Sequence, residues 1–365
     1  MTALPISDRA PPEPIARICA LMSGFSIEAT RPSAADVAAL GVLRRGTSVY
    51  LSAVPNRPAD ESIAAAIQIR AAGLEPVPHV AARNFATAEA LDEFLARLNG
   101  EAGVDTALVI AGDRTECGPL RRALDIIDNG VLRRRGIRSI GIAGYPQGHP
   151  RIGDDQLDRA LADKIAAAEA IGLAVEIVTQ FCFDAGAILA FIARVRAFGF
   201  DHRLRIGLAG PTSLTSLMRY ASRCGVRASA QGLARRSGLM RQMFALTTPD
   251  DLIRTLADAA PAGIVPHFFS FGGIPATSRW AWRIPSLTAT TIRSSSIGLS
   301  PATINAGSIS SRRTFIAPST VTRTMPPPDC AVTVLAAAAS CICLSLSCSA
   351  WACWNRAERS GCVTN

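Results

Sequence analysis

The sequence predicts an α/β protein built as a (β/α)8 TIM barrel, followed by an irregular C-terminal tail expected to be disordered. Three observations predict it. Eight short apolar runs recur between residues 20 and 283, most of them followed by an amphipathic helical pattern. That span matches the ~250 residues usual for such a barrel. A doubly wound sheet is the alternative, but no GxGxxG follows the first run and no GxxxxGKS or GxxxxGKT occurs anywhere.

In chain order the strand-like runs are GFSIEA (24–29), SVYLSAV (48–54), EPVPHVA (75–81), TALVIAG (106–112), SIGIAGY (139–145), EIVTQFCF (176–183), LRIGLAG (204–210) and GIVPHFFSFG (263–272). Between them SAADVAALGVLRR, ADESIAAAIQIRAAG, ATAEALDEFLARL and DDQLDRALADKIAAAEAIG carry apolar residues at three- and four-residue spacing. Ser33, Asp60 and Thr212 stand where helices should begin and are expected to cap them.

Composition narrows the function classes. Hydrophobic residues make up 49% and charged residues 18%, as in a globular protein. The net charge of +9 is spread along the chain, and its short basic runs lack interleaved aromatics, so no nucleic-acid partner is expected. The opening residues have no basic segment followed by an apolar one, which predicts a cytoplasmic protein. Only Cys19, Cys117, Cys182 and Cys224 precede residue 284, with no CxxC pair, so reduced thiols and no metal site are expected. Apolar helix faces allow a homo-oligomer.

Residues 1–19 read as an N-terminal segment, 20–283 as the barrel, and 284–365 as a Ser/Thr/Pro-rich tail with two acids and six of the ten cysteines. The tail resembles no known domain and has the texture of GC-rich DNA translated out of frame, which would leave the last barrel helix missing or replaced. Its uncharged run from Cys330 to Trp354 has the length of a bilayer span, but it is rich in Ser, Cys and Ala, and membrane attachment is not expected.

In such a barrel, polar residues at the C-terminal ends of strands face a common mouth and are candidates for chemistry. They are Glu28, Ser52, His79, Asp113, Tyr145 with His149, Thr179, Gln180 and Asp184. Together they suggest a large, polar and partly aromatic ligand. Lys164, the one lysine among 38 basic residues, adds a compact cation suited to a diphosphate.

In order, FSIEATRP, PHV, Gly112-Asp113, GYPQGHP and TQFCFD resemble the methylenetetrahydrofolate reductase family of flavoprotein barrels. The resemblance covers about residues 20–283. It implies FAD as cofactor, NAD(P)H as electron donor, a tetrahydrofolate derivative as substrate, and a role in one-carbon metabolism and methionine supply. It makes Glu28 the general acid, because ring opening needs N10 to leave as a neutral amine. At an apolar mouth that carboxyl is expected to have its pKa raised by desolvation. Asp113 would lie beside flavin and pterin, and Gln180 would hydrogen-bond the pterin edge. Ser52, His79, Asp113, Tyr145, His149 and Lys164 would contact FAD. Three positions depart from the family pattern: Ala111 where an arginine is common, Leu214 in place of an aromatic platform, and FSFGGIPATSRW, with Arg279, in place of an Asn-Arg pair. They make a catalytically impaired folate- or flavin-binding barrel the alternative.

Overall fold

The computed structural model describes residues 14–115, 118–223, 246–259 and 261–283. The tail, Cys117 and Cys224 lie outside the described residues. Eight parallel strands close into a barrel in the order β1-β8-β7-β6-β5-β4-β3-β2. They are β1 (Ser26–Ala29), β2 (Ser48–Leu51), β3 (Glu75–Ala81), β4 (Thr106–Ile110), β5 (Ser139–Gly144), β6 (Ala174–Thr179), β7 (Arg203–Ala209) and β8 (Ile264–Phe269). The predicted barrel is therefore present, with several strands shorter than the apolar runs that announced them. β6 ends at Thr179, so Gln180 to Phe183 already belong to the mouth.

The helices are α1 (Pro14–Met22), α2 (Ala34–Leu40), α3 (Ala59–Ala71), α4 (Ala88–Ala102), α5 (Ala123–Asp128), α6 (Val131–Arg134), α7 (Asp154–Ala170), α8 (Ala185–Ala197), α9 (Leu214–Arg223), α10 (Asp250–Ala259) and α11 (274–283). Two observations bear on the ends of the barrel. Ile18 of α1 packs partly buried against the main core and Arg17 pairs with Asp258 at 2.8 Å, so the end of the N-terminal segment contacts the barrel. A helix also follows β8 as far as residue 283, so the described chain has a helix in the last barrel position.

Period-two alternation sorts each strand. One face builds the main core against the helices, with Ile27, Val49, Val80, Val109, Ile142, Ile177 and Phe268 buried there. Each such aliphatic side chain, once fully buried, contributes ~1.5–3 kcal/mol. The other face fills the barrel, where Tyr50, Val77, Ala81, Leu108, Ile110 and Val178 form a separate cluster. Inward positions can therefore hold polar groups without interrupting the main core.

Capping differs in detail from the sequence reading. Ser33 caps α2 in a capping box with Asp36. Asp60 lies in the first turn of α3, behind Pro58, and pairs with Arg97 at 2.5 Å. Thr212 joins a short antiparallel pair with Thr247, and its neighbour Ser213 accepts the Ser216 N–H at 3.2 Å.

Candidate active site

Glu28 lies near the end of β1, is 3% exposed, and is surrounded by polar groups carried on or beside three other strands. Ser52, just past β2, donates to its Oε1 at 2.6 Å. His267 Nε2 on β8 lies 3.3 Å from Oε2, and His79 Nε2 on β3 lies 3.8 Å from the same oxygen. Burial alone pushes the carboxyl up, but the charge of His79, the bond and charge of His267 and the Ser52 bond outweigh it. The net result is a carboxyl held below its ordinary range, opposite to the sequence expectation. The apolar environment inferred from Ile27 and Ala29 is wrong because those side chains alternate outward while Glu28 faces imidazoles.

Burial pushes the His79 ring down to about 4, against the pull of Glu28. Both its nitrogens are buried without a hydrogen-bond partner. Below this level Tyr50 donates to Glu176, which also accepts from Arg205 Nε at 2.7 Å.

The β4–β6 side of the mouth holds a cavity of about 250 Å³ lined by Asp113, Tyr145, His149, Lys164 and Gln180. Gly112 has φ +87°, which a side chain rarely adopts, and a Cβ there would stand 3.0 Å from Ala81. That bend delivers Asp113. Burial pushes its carboxyl up to about 7, opposed by Arg83, and its Oδ2 has no partner. The GYPQGHP turn closes through the Gly148 N–H to the Tyr145 carbonyl at 3.1 Å, and the Tyr145 and His149 rings meet edge to face at 5.5 Å. His149 Nδ1 accepts the Arg151 N–H, leaving Nε2 as the donor. Lys164 is partly buried, and desolvation brings its ammonium down to about 8 against the charge of Asp163. Gln180 Oε1 accepts the Phe181 N–H at 3.1 Å. A second cavity of about 510 Å³ on the β2–β3 side is lined by Ser52, His79, Arg31, Asn84 and Phe85.

Two sequence candidates have structural duties. Thr179 Oγ1 accepts the Gly207 N–H at 2.8 Å, and Asp184 caps α8 through the Gly186 and Ala187 N–H groups. The sequence reading missed His267, Tyr50, Glu176 and Arg205, all buried inside the barrel. It also missed an aromatic cluster at the mouth. Tyr220 stacks on Phe271 at 4.1 Å, and Phe271 meets Phe181 at 4.9 Å. The i, i+2 spacing of Phe181 with Phe183 and of Phe269 with Phe271 was its available signal. Leu214, the expected gap in an aromatic platform, packs with Phe183 and Phe271 in this neighbourhood. Arg83 also bonds the Ala111 carbonyl through its backbone, so an arginine stands next to the position where residue 111 lacks one. Arg279 is exposed on α11.

A closed parallel barrel with acids, imidazoles, an amide and a lysine gathered at its C-terminal face belongs to the class of TIM-barrel enzymes that work at that face. The sequence profile of the methylenetetrahydrofolate reductase family matches residues 49–237, and the chain belongs to this family. The 5,10-methylenetetrahydrofolate reductase of Pectobacterium carotovorum subsp. carotovorum is 31% identical over 158 residues, covering 42% of this chain and 50% of that protein. The chain thus aligns with about half the length of this curated relative. Among solved structures, dihydropteroate synthase from Thermus thermophilus is 15% identical, covering 72% of this chain and 92% of its own, with a TM-score of 0.40. A GH128 endo-beta-1,3-glucanase from Amycolatopsis mediterranei is 18% identical, covering 71% and 98%, with a TM-score of 0.37.

Among the described residues no helix is long and apolar enough to cross a membrane. Cys182 is a buried free thiol.

Proposed function

We propose that the protein reduces 5,10-methylenetetrahydrofolate to 5-methyltetrahydrofolate with FAD as cofactor, NAD(P)H as electron source and Glu28 as the acid. The observation carrying this reading is the cavity that gathers Asp113, Tyr145, His149, Lys164 and Gln180 in a chain of this family. The residues fit a flavin nucleotide. Asp113 Oδ2 and both His79 nitrogens are buried and unsatisfied, a costly condition that a ligand would relieve. Lys164 offers a partly desolvated cation to a diphosphate. Ser52, His79, Asp113, Tyr145 and His149 are the further contacts.

The chemistry FAD would supply, when bound, is the hydride that the substrate's methylene carbon receives. Glu28 would deliver a proton to N10 so that the ring opens to an iminium, its carboxyl rising from its lowered resting value as bound flavin and pterin exclude water from the mouth. Asp113, when ionised, favours that cation, and Gln180 holds the pterin edge through its amide. The apolar and aromatic walls exclude water, which strengthens each of these interactions.

The test is spectroscopic. Purified protein should be yellow, its flavin bleached anaerobically by NADH or methyltetrahydrofolate and restored by methylenetetrahydrofolate. Glu28→Gln should abolish the restoration while sparing bleaching by NADH. A colourless protein that still binds folate would favour the impaired-barrel alternative, which the changes at Ala111 and Leu214 support.

A further inference from the structure

The cavity on the β2–β3 side encloses about 510 Å³, against about 250 Å³ for the one that gathers Asp113 and Lys164. Ser52 and His79, assigned above to flavin, form its inner end beside Glu28, with Ser52 Oγ 2.6 Å and His79 Nε2 3.8 Å from the carboxyl oxygens. Its walls include Phe85 and Phe94, whose ring centroids lie 5.4 Å apart, and the exposed Arg31 and Arg57 stand at its rim.

Packing alone does not account for three features of this cavity. Asn84 Oδ1 is buried on its wall without a hydrogen-bond partner. Arg31 makes neither a hydrogen bond nor an ion pair among the described residues. Arg31, with φ 49°, and Asn56, with φ 59° and immediately before Arg57, are the non-glycine residues of positive φ in the described chain. Side chains rarely adopt that region, and residues held there gather at functional sites. Arg57 pairs with Glu61 one turn on at 3.2 Å, an exposed contact of the weak kind, so Arg31 leaves the rim net positive.

We propose that this cavity takes the aryl-glutamate arm of the folate substrate, with Phe85 and Phe94 packing on the ring, Asn84 accepting the amide N–H, and Arg31 and Arg57 meeting the glutamate carboxylates. The inference rests on Glu28 acting on N10. That nitrogen must come within hydrogen-bond reach of the carboxyl, and the aryl ring is bonded directly to it. The arm therefore leaves through space that opens beside Glu28. Ser52 and His79 border such a space, whereas none of the side chains in contact with Glu28 lines the cavity given above to the flavin nucleotide. The chemistry agrees in kind. The arm offers a ring, one amide donor and two anions, and the cavity offers apolar walls, one acceptor lacking a donor and two cations. An acceptor buried without a donor is costly until a ligand supplies one.

Calorimetry on the full-length protein as purified tests the site with two fragments, p-aminobenzoyl-glutamate and the neutral p-aminobenzamide. Arg31→Asn removes the cation while keeping a residue that tolerates the left-handed region. It should weaken p-aminobenzoyl-glutamate about tenfold, the loss of one charge-assisted hydrogen bond, and leave p-aminobenzamide within about twofold. Arg31→Lys should recover part of the loss. In turnover, Arg31→Asn and Arg57→Met should each raise the KM for methylenetetrahydrofolate about tenfold with kcat within about twofold, the pattern of binding lost equally from ground and transition states. Arg279→Met, on the exposed side of α11, should move neither value. A KM that Arg279→Met raises and the rim variants do not, or a p-aminobenzoyl-glutamate affinity that neither Arg31→Asn nor Arg57→Met changes, overturns the proposal. If folate is not turned over but fragment binding still depends on Arg31 and Arg57, the reductase reading fails and the arm site stands.

Discussion

Arg205 on β7 and Glu176 on β6 form a hydrogen-bonded ion pair inside the barrel at 2.7 Å, with both side chains under a tenth exposed. Tyr50 donates to the same carboxylate, and Arg205 Nη1 reaches the Gly24 carbonyl at 3.2 Å, tying β7 to the entry of β1. Removing one partner of such a pair strands the other. Arg205→Leu should therefore cost ~3–5 kcal/mol in urea unfolding. The double change Arg205→Met with Glu176→Leu should recover much of that loss. A double variant as unstable as the single one would show that the pair is not the reason.

Gly207 in β7 lets the strand pass close to the mouth backbone. A Cβ there would fall 2.4 Å from the Thr179 carbonyl oxygen, which is main chain and cannot swing away. Gly207→Ala should lower stability by ~1–3 kcal/mol or more and disturb the Gly207 N–H to Thr179 bond. Equal midpoints in chemical denaturation would refute this.

Asp113 makes a pH prediction with a definite sign. Its carboxyl is raised from 3.8 to about 7 by burial, so between those values the folded state holds more protons than the unfolded one. Stability of the flavin-free protein should therefore fall as pH rises from about 4 to 7, by at most ~4 kcal/mol at ~1.36 kcal/mol per unit. Asp113→Asn should flatten this slope and be the more stable protein at pH 8. A parallel slope in both proteins would locate the effect elsewhere.

If Lys164 meets a flavin diphosphate as proposed, flavin affinity should follow its protonation. An ammonium brought down to about 8 is half deprotonated near that pH, whereas an anionic diphosphate binds the charged form. Fluorescence titration should show the FAD Kd rising above pH 8, by up to about tenfold per unit. In Lys164→Met the Kd should be roughly tenfold or more weaker at pH 7 and lose that dependence. Wild-type affinity flat from pH 7 to 9 would contradict the assignment.

The barrel was readable because its evidence is local. Short apolar runs, helical spacing and the Ser33 cap each report on their own neighbourhood. Glu28, His79, Asp113 and Gln180 were legible for the same reason, as polar residues where apolar runs end. His267 was not, because a lone histidine in GIVPHFFSFG looks like strand filling until closure sets it beside Ser26, 241 residues away in sequence. Glu176 and Arg205 sit near the start of their runs and look like solvent-facing ends, although strand pairing turns both inward. Thr179 and Asp184 erred the other way. Whether a strand-end hydroxyl or carboxylate serves a ligand or a neighbouring N–H depends on backbone direction, which residue type does not encode.

The β1–β8 seam joins Ser26 to His267 and Glu28 to Phe269. These are the most distant pairings a single barrel can make, and loop closure over such a span is slow to find. A chain leaving the ribosome exposes Glu28 early but cannot give it His267 until β8 has emerged and docked. The Glu28–His267 contact is thus a marker of finished assembly, made only when the last strand closes on the first.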